Sequence, residues 1–172
     1  GRAVAARYGS PRPVLVVQRP VAAGAAVRDG DVAPRPVPAG LVPRDALDTG
    51  AAGRVALVHL VPGEVVVASR LAPGGVQGTA ALIPPGARAL AVPAGATGLP
   101  PLRVGDRVDV YATGTDPTVT PAVLVADHAV AVAVDDGDGV VTLAVDEADA
   151  PRLAAAVASA TVTVALTPPG GG

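Results

Sequence analysis

Apolar residues run in short stretches along this chain, and Gly or Pro interrupts each one before it grows long. Val14–Gln18 is the first β-branched run, ended at Arg19-Pro20 and followed by a turn at Ala22-Ala23-Gly24. Asp29-Gly30-Asp31 turns the chain again, because Asp bonds to nearby backbone and Gly accepts positive φ. Pro34, Pro36 and Pro38 then fall at every second position. That spacing excludes a helix or a central strand and suits an extended edge. Pro43–Leu47 has room for one helical turn. Gly53–Val58 and Glu64–Ala68 read as strands on either side of a Pro62-Gly63 turn. Residues 1–13 show no alternation and read as a flexible lead-in.

Pro73–Gly78 is short, Gly-rich and aperiodic, and it marks a boundary between two domains. Beyond it Ala87–Val92 reads as a strand. In the next strand-like run, Val108 and Val110 share one face while Arg107 and Asp109 share the other, as in a half-solvated strand. Pro121–Ala126 and His128–Val134 are two further strands. Asp135–Gly139 is a hairpin turn into Val140–Val145. One convincing helix begins at Asp146 or Asp149 and ends at Ser159, with acids in its first turn where the helix dipole favours them. Pro151 fits the later start, and Leu153 and Val157 form a narrow apolar face. Thr161–Leu166 is an alternating closing strand, and 168–172 is a tail. The pattern predicts a mainly β protein with minor α.

Composition agrees with that pattern and removes several functions. Half of the 172 residues are hydrophobic and only 16% are charged, which excludes a disordered chain. Gly and Pro supply 40 residues, leaving little room for long helices. With no Cys there is no disulfide framework, thiolate zinc site or thiol nucleophile. With no Lys there is no Schiff-base chemistry and no phosphate-loop lysine. Net charge is -2, the arginines are scattered, and Tyr8 and Tyr111 are the only aromatics, so no nucleic-acid partner is expected. The longest apolar runs have six residues, far short of the 18–20 or so that cross a bilayer.

Candidate chemistry is thin. His59 and His128 are the only imidazoles, and a zinc site needs about three or four ligands. Asp135, Asp136 and Asp138 resemble a calcium loop, but Val140 stands where an oxygen ligand belongs and no Glu follows at the required place. None of Ser10, Ser69 and Ser159 sits in a nucleophile elbow. Asp106 and Asp109 point to opposite faces of one strand and cannot flank a single bond. No catalytic, metal or cofactor site is expected.

Three stretches between residues 14 and 72 resemble a SAF domain, a β-clip module. They are VLVVQRPVAAGAAVRDGDV (14–32), PRPVPAGLVP (34–43) and GRVALVHLVPGEVVVASRL (53–71). After the 73–78 linker, residues 79–167 resemble the domain that follows SAF in the CpaB/RcpC family of Flp/Tad pilus assembly proteins. GARALAVP (86–93), VGDRVDVYAT (104–113), AVLVADHAVAVAV (122–134) and the segment 141–166 carry that likeness, with Gly105–Val110 the most specific piece. The resemblance implies a SAF β-clip module followed by a small α+β module with one clear helix.

It further implies a non-enzymatic protein of the extracytoplasmic cell envelope that assists assembly of a type IVb-like pilus. Members carry one N-terminal membrane helix, so the only expected membrane contact is through such a helix preceding this stretch. The implied partners are pilus-machinery proteins, among them the secretin where an outer membrane exists. No cofactor is implied. The alternative is a module for carbohydrate or cell-wall glycan, with Arg54, Glu64 and Arg70 as the glycan-binding residues. On the assembly reading a partner strand is expected first at 34–38 and 119–125.

Overall fold

The β-branched run at Val14 buries Val14, Leu15 and Val17, leaves Val16 half-buried, and lies between two other segments of chain, one on each edge. In a computed structural model that describes residues 2–93, 98–114 and 121–169, the chain forms two compact units, Gly1–Leu82 and Ile83–Gly172.

In the first unit, β1 (Pro11–Val17) pairs antiparallel with β2 (Val32–Pro38) in a register that sets Arg12 against Val37, Val14 against Arg35 and Val16 against Ala33. On its other edge β1 meets the chain near residue 65. The bridges Val16–Val65, Val21–Leu60 and Ala26–Val55 keep one constant antiparallel register, so 14–27 and 54–66 lie side by side along their length. A tight turn at Pro62-Gly63 interrupts the second of these segments, with Gly63 at φ +93 and its N–H donated to the Val17 carbonyl at 2.8 Å. Leu15, Val17, Val21, Val27, Ala56, Leu60, Val66 and Leu71 form the core. Val55, Ala72 and Ala81 make a smaller apolar cluster with Leu57 and Leu82, so the chain stays with this unit past residues 73–78.

The lead-in carries secondary structure of its own between residues 2 and 13. Arg2–Tyr8 form a helix, α1, and Pro11–Pro13 already belong to β1. Their ladder partners, Pro36 to Pro38, lie far along the sequence, so local composition carried no sign of the pairing. Gly40 takes the close approach at the end of α1, since a Cβ there would stand 2.9 Å from the Tyr8 carbonyl oxygen. The helical turn expected at 43–47 is instead a tight turn, after which Ala46 bridges to Val67.

The second unit is a five-stranded, wholly antiparallel sheet in the order β3-β6-β5-β4-β7, where β3 is Ala87–Pro93, β4 Arg107–Thr113, β5 Val123–Asp135, β6 Val140–Asp146 and β7 Thr161–Leu166. Helix α2 (Ala150–Ser159) makes the crossover from β6 to β7 and buries Leu153 and Ala156 on one face of the sheet. There they meet Val92, Val108, Val110, Ala129, Leu143, Val162 and Val164. The helix takes the later of its two expected starts, with Pro151 in the first turn, which leaves Asp146 at the end of β6 and Glu147 in the turn before the helix.

The two strands expected at 121–126 and 128–134 are one. β5 runs through a bulge at His128, a non-glycine residue at φ +49 whose N–H donates to Asp109 Oδ1 at 3.0 Å. A bulge sets an extra residue against the partner strand and re-aims the side chains beyond it. The expected division at Asp127 is therefore a bulge within one strand. The protein is mainly β with one clear helix.

Candidate functional site

Arg54, Glu64 and Arg70 all lie in the first unit, where Glu64 and Arg70 pair with each other and Arg54 is bonded to backbone carbonyls. Arg70 Nη1 stands 3.2 Å from Glu64 Oε2 and 3.3 Å from Oε1, an ion pair open to solvent with the arginine side chain about half exposed. Such a pair contributes about 0–1 kcal/mol, so its geometry is easily given up to another partner. Arg54 is engaged differently. It is partly buried, and its Nε donates to the Ala72 carbonyl at 2.8 Å and its Nη2 to the Leu71 carbonyl at 3.3 Å. The guanidinium therefore clamps the end of the clip, and its donors are directed at backbone.

Sequence reading missed the nearby Asp45–Ser69 pair. Asp45 Oδ2 accepts from the Ser69 hydroxyl at 2.7 Å and from the Ser69 N–H at 3.3 Å. The hydroxyl bond foremost, and then the backbone bond, hold the Asp45 carboxyl below the usual aspartate range. Nothing local in the sequence announces a pair whose members lie 24 residues apart.

The other singled-out groups of the second unit serve turns and strands. Asp106 Oδ2 accepts from Arg103 N–H at 2.7 Å, and Asp135 Oδ1 accepts from Gly137 and Asp138 N–H at 3.1 Å each, closing the hairpin turn. Asp109 is committed to the His128 bulge. Arg152 of α2 was not anticipated. Its Nε donates to the Val125 carbonyl at 2.8 Å and its Nη2 to Asp149 Oδ1 at 2.8 Å, tying the helix to the free side of β5. His59 and His128 are both exposed, in different units. Among the described residues no charged or polar residue is buried, and no three His, Asp or Glu side chains converge as metal ligands. Two shallow, open depressions of about 270 and 400 Å3 flank Asp106 in the second unit. Neither contains Arg54, Glu64 or Arg70.

The strand edges are the remaining candidates, and backbone direction decides what each one offers. Gln18 N–H donates towards β2, to the Asp31 carbonyl, while Leu15 and Val17 N–H donate the opposite way, to the Leu47 and Glu64 carbonyls. In this ladder, then, even-numbered residues of β1 face β2, and their register partners Ala33, Arg35 and Val37 face back. Pro34, Pro36 and Pro38 consequently point outward, and the outer edge of β2 shows carbonyls without a single proline N–H. A partner strand expected at 34–38 would meet acceptors only. Of the other expected edge, 119–120 lie outside the described residues, and 121–125 are held at Val125 by Arg152.

Compared with known proteins, residues 12–72 match the SAF domain. No curated protein and no solved structure matches the chain. The match begins inside β1, at Arg12, and ends at Ala72, the residue whose carbonyl accepts from Arg54. It spans the clip, the proline-spaced strand and the Glu64–Arg70 pair. Residues 12–72 of this protein are a SAF domain.

Proposed function

We propose that this chain is a non-enzymatic protein of the extracytoplasmic envelope that assists assembly of a Flp/Tad pilus through protein–protein contacts. The observation that carries the reading is the SAF domain at 12–72, followed by a separately folded unit with the segments that resemble CpaB/RcpC proteins. The chemistry of the surface supports it. Asp106 and Asp135 serve turns, Asp109 a strand bulge, Arg54 a strand end, and Glu64 and Arg70 an exposed ion pair, while the two cores are made of Val, Leu and Ala. A molecule built this way acts by presenting surfaces and strand edges. On this proposal the partner is a pilus-machinery component, the secretin where an outer membrane exists, and the chain is held at the cytoplasmic membrane by a helix N-terminal to it. No helix among the described residues is long and apolar enough to cross a membrane.

The exposed Glu64–Arg70 pair favours a second reading, in which the SAF domain takes cell-wall glycan. One experiment separates the two. The purified chain is offered first the purified secretin or platform protein of a Flp/Tad system, and then soluble peptidoglycan fragments, while amide and guanidinium NMR signals are followed. Saturable binding of the machinery protein, with glycan leaving the signals of Glu64 and Arg70 unmoved, is the expected result. Glycan-dependent shifts at these residues without protein binding would transfer the function to the second reading, and turnover of a small substrate would end both.

A further inference from the structure

The edges of the second unit differ in how well they are protected. On β3, Ala87 N–H is already donated to the Pro84 carbonyl and Pro93 has no N–H, so both ends of the outer edge are closed. On β7 the direction of the backbone is fixed by Thr167, whose N–H donates to the Arg107 carbonyl of β4 at 2.9 Å. Odd-numbered residues of β7 therefore face β4, and Val162, Val164 and Leu166 turn their N–H and C=O groups outward. These outward groups meet no hydrogen-bond partner among the described residues. The strand, TVTVAL, contains no Pro, no Gly and no charge, and so lacks the usual devices that protect an edge.

The open stretch is bounded on both sides. Before it, Ala160 N–H is donated to the Ala156 carbonyl at the end of α2. After it, Pro168 has no donor. Between these limits the free residues are Val162, Val164 and Leu166, a set symmetric about Val164. Such an edge is complementary to itself. The geometry points to a homodimer in which β7 pairs antiparallel with β7 of a second copy, across a twofold axis at Val164.

In that register Val164 opposes Val164 and Leu166 opposes Val162, each pair exchanging two bonds, about six in all. Moving the register by two residues in either direction leaves about four. Val162 and Val164 point into the apolar core at 5% and 6% exposure, whereas Leu166, on the same face of the strand, is 49% exposed. Pairing sets Leu166 against Val162 of the second copy and extends the apolar face across the axis. The two sheets become one of ten strands with both α2 helices on the same side. Closed twofold pairing also explains how an unprotected edge avoids open-ended association, since each β7 has only one free edge.

The test uses the 172-residue chain. Its mass is measured by sedimentation against concentration, and the hydrogen exchange of the amides of 162, 164 and 166 is followed in parallel. The mass is expected to rise to that of a dimer, with these three amides gaining protection over the same concentration range. Leu166→Pro removes one outward donor from each strand without touching the β4–β7 ladder, and is expected to weaken the dimer at least tenfold. Thr163→Arg with Ala165→Arg changes two side chains of the opposite face and sets like charges directly across the axis, which is expected to leave a monomer. A chain that stays monomeric with rapidly exchanging amides at all three positions would overturn the inference. So would a dimer that survives both variants, or protection that arises only when a different protein is added.

Discussion

At the scale of single residues, the most informative group is Asp45, whose carboxylate accepts two bonds from Ser69. Its folded-state pKa lies below the unfolded value, so the interaction stabilises the native state at pH above the unfolded pKa. That contribution is lost as pH falls through the lowered folded value. Ser69→Ala removes the hydroxyl bond and keeps the backbone one. The Asp45 titration followed by NMR is expected to move upward toward the ordinary aspartate value without reaching it. The stability difference between variant and parent should vanish in acid, below the folded pKa. An Asp45 midpoint unmoved by the substitution would show that the hydroxyl bond is not what holds it down. Ser69 and Asp45 are ordinary residues in the sequence, and only the bridge between Ala46 and Val67 brings them together.

Among elements, β2 and β7 make opposite uses of an edge position. Proline at 34, 36 and 38 puts every missing donor on the same side of β2, because neighbouring residues of a strand point their backbone groups in opposite directions. This side faces away from β1, so the ladder between β1 and β2 loses nothing. Pro34→Ala with Pro36→Ala restores two outward N–H groups. Each change is expected to cost about 0.4–1 kcal/mol through the looser unfolded chain. The larger effect is expected in association, with light scattering showing concentration-dependent aggregation that the parent lacks. If the double variant stays as soluble as the parent on prolonged incubation, edge protection is not what these prolines provide. The sequence displayed the spacing plainly. Which way the prolines face emerged only from the register with β1.

On the scale of the whole molecule, two small cores do separate work. Each is built from Val, Leu and Ala without a single aromatic side chain, so no one residue dominates and each loss is felt. Leu153 is the fully buried centre of α2, and Leu60 has the same standing in the SAF domain. Leu153→Ala is expected to destabilise the second unit by about 2–5 kcal/mol, and Leu60→Ala the first by a similar amount. Hydrogen exchange resolves the two, because each substitution is expected to raise exchange in its own unit and leave the other protected. Equal loss of protection in both units after either substitution would mean that they unfold as one.

What the sequence determined by itself was whatever rests on neighbours a few residues apart. The turns at Pro62-Gly63 and Asp135–Gly139, the extended β2, the start of α2 near Pro151 and the mainly β character all come from local φ preference, side-chain periodicity and missing donors. Tertiary structure decided the rest. The pairing of Pro11–Pro13 with Pro36–Pro38, the continuity of β5 through His128, the clamp from Arg54 to the 71–72 carbonyls and the direction of each strand edge depend on which distant segment lies alongside. That choice is made by burial of apolar faces summed over a whole unit, a quantity no short window of sequence contains.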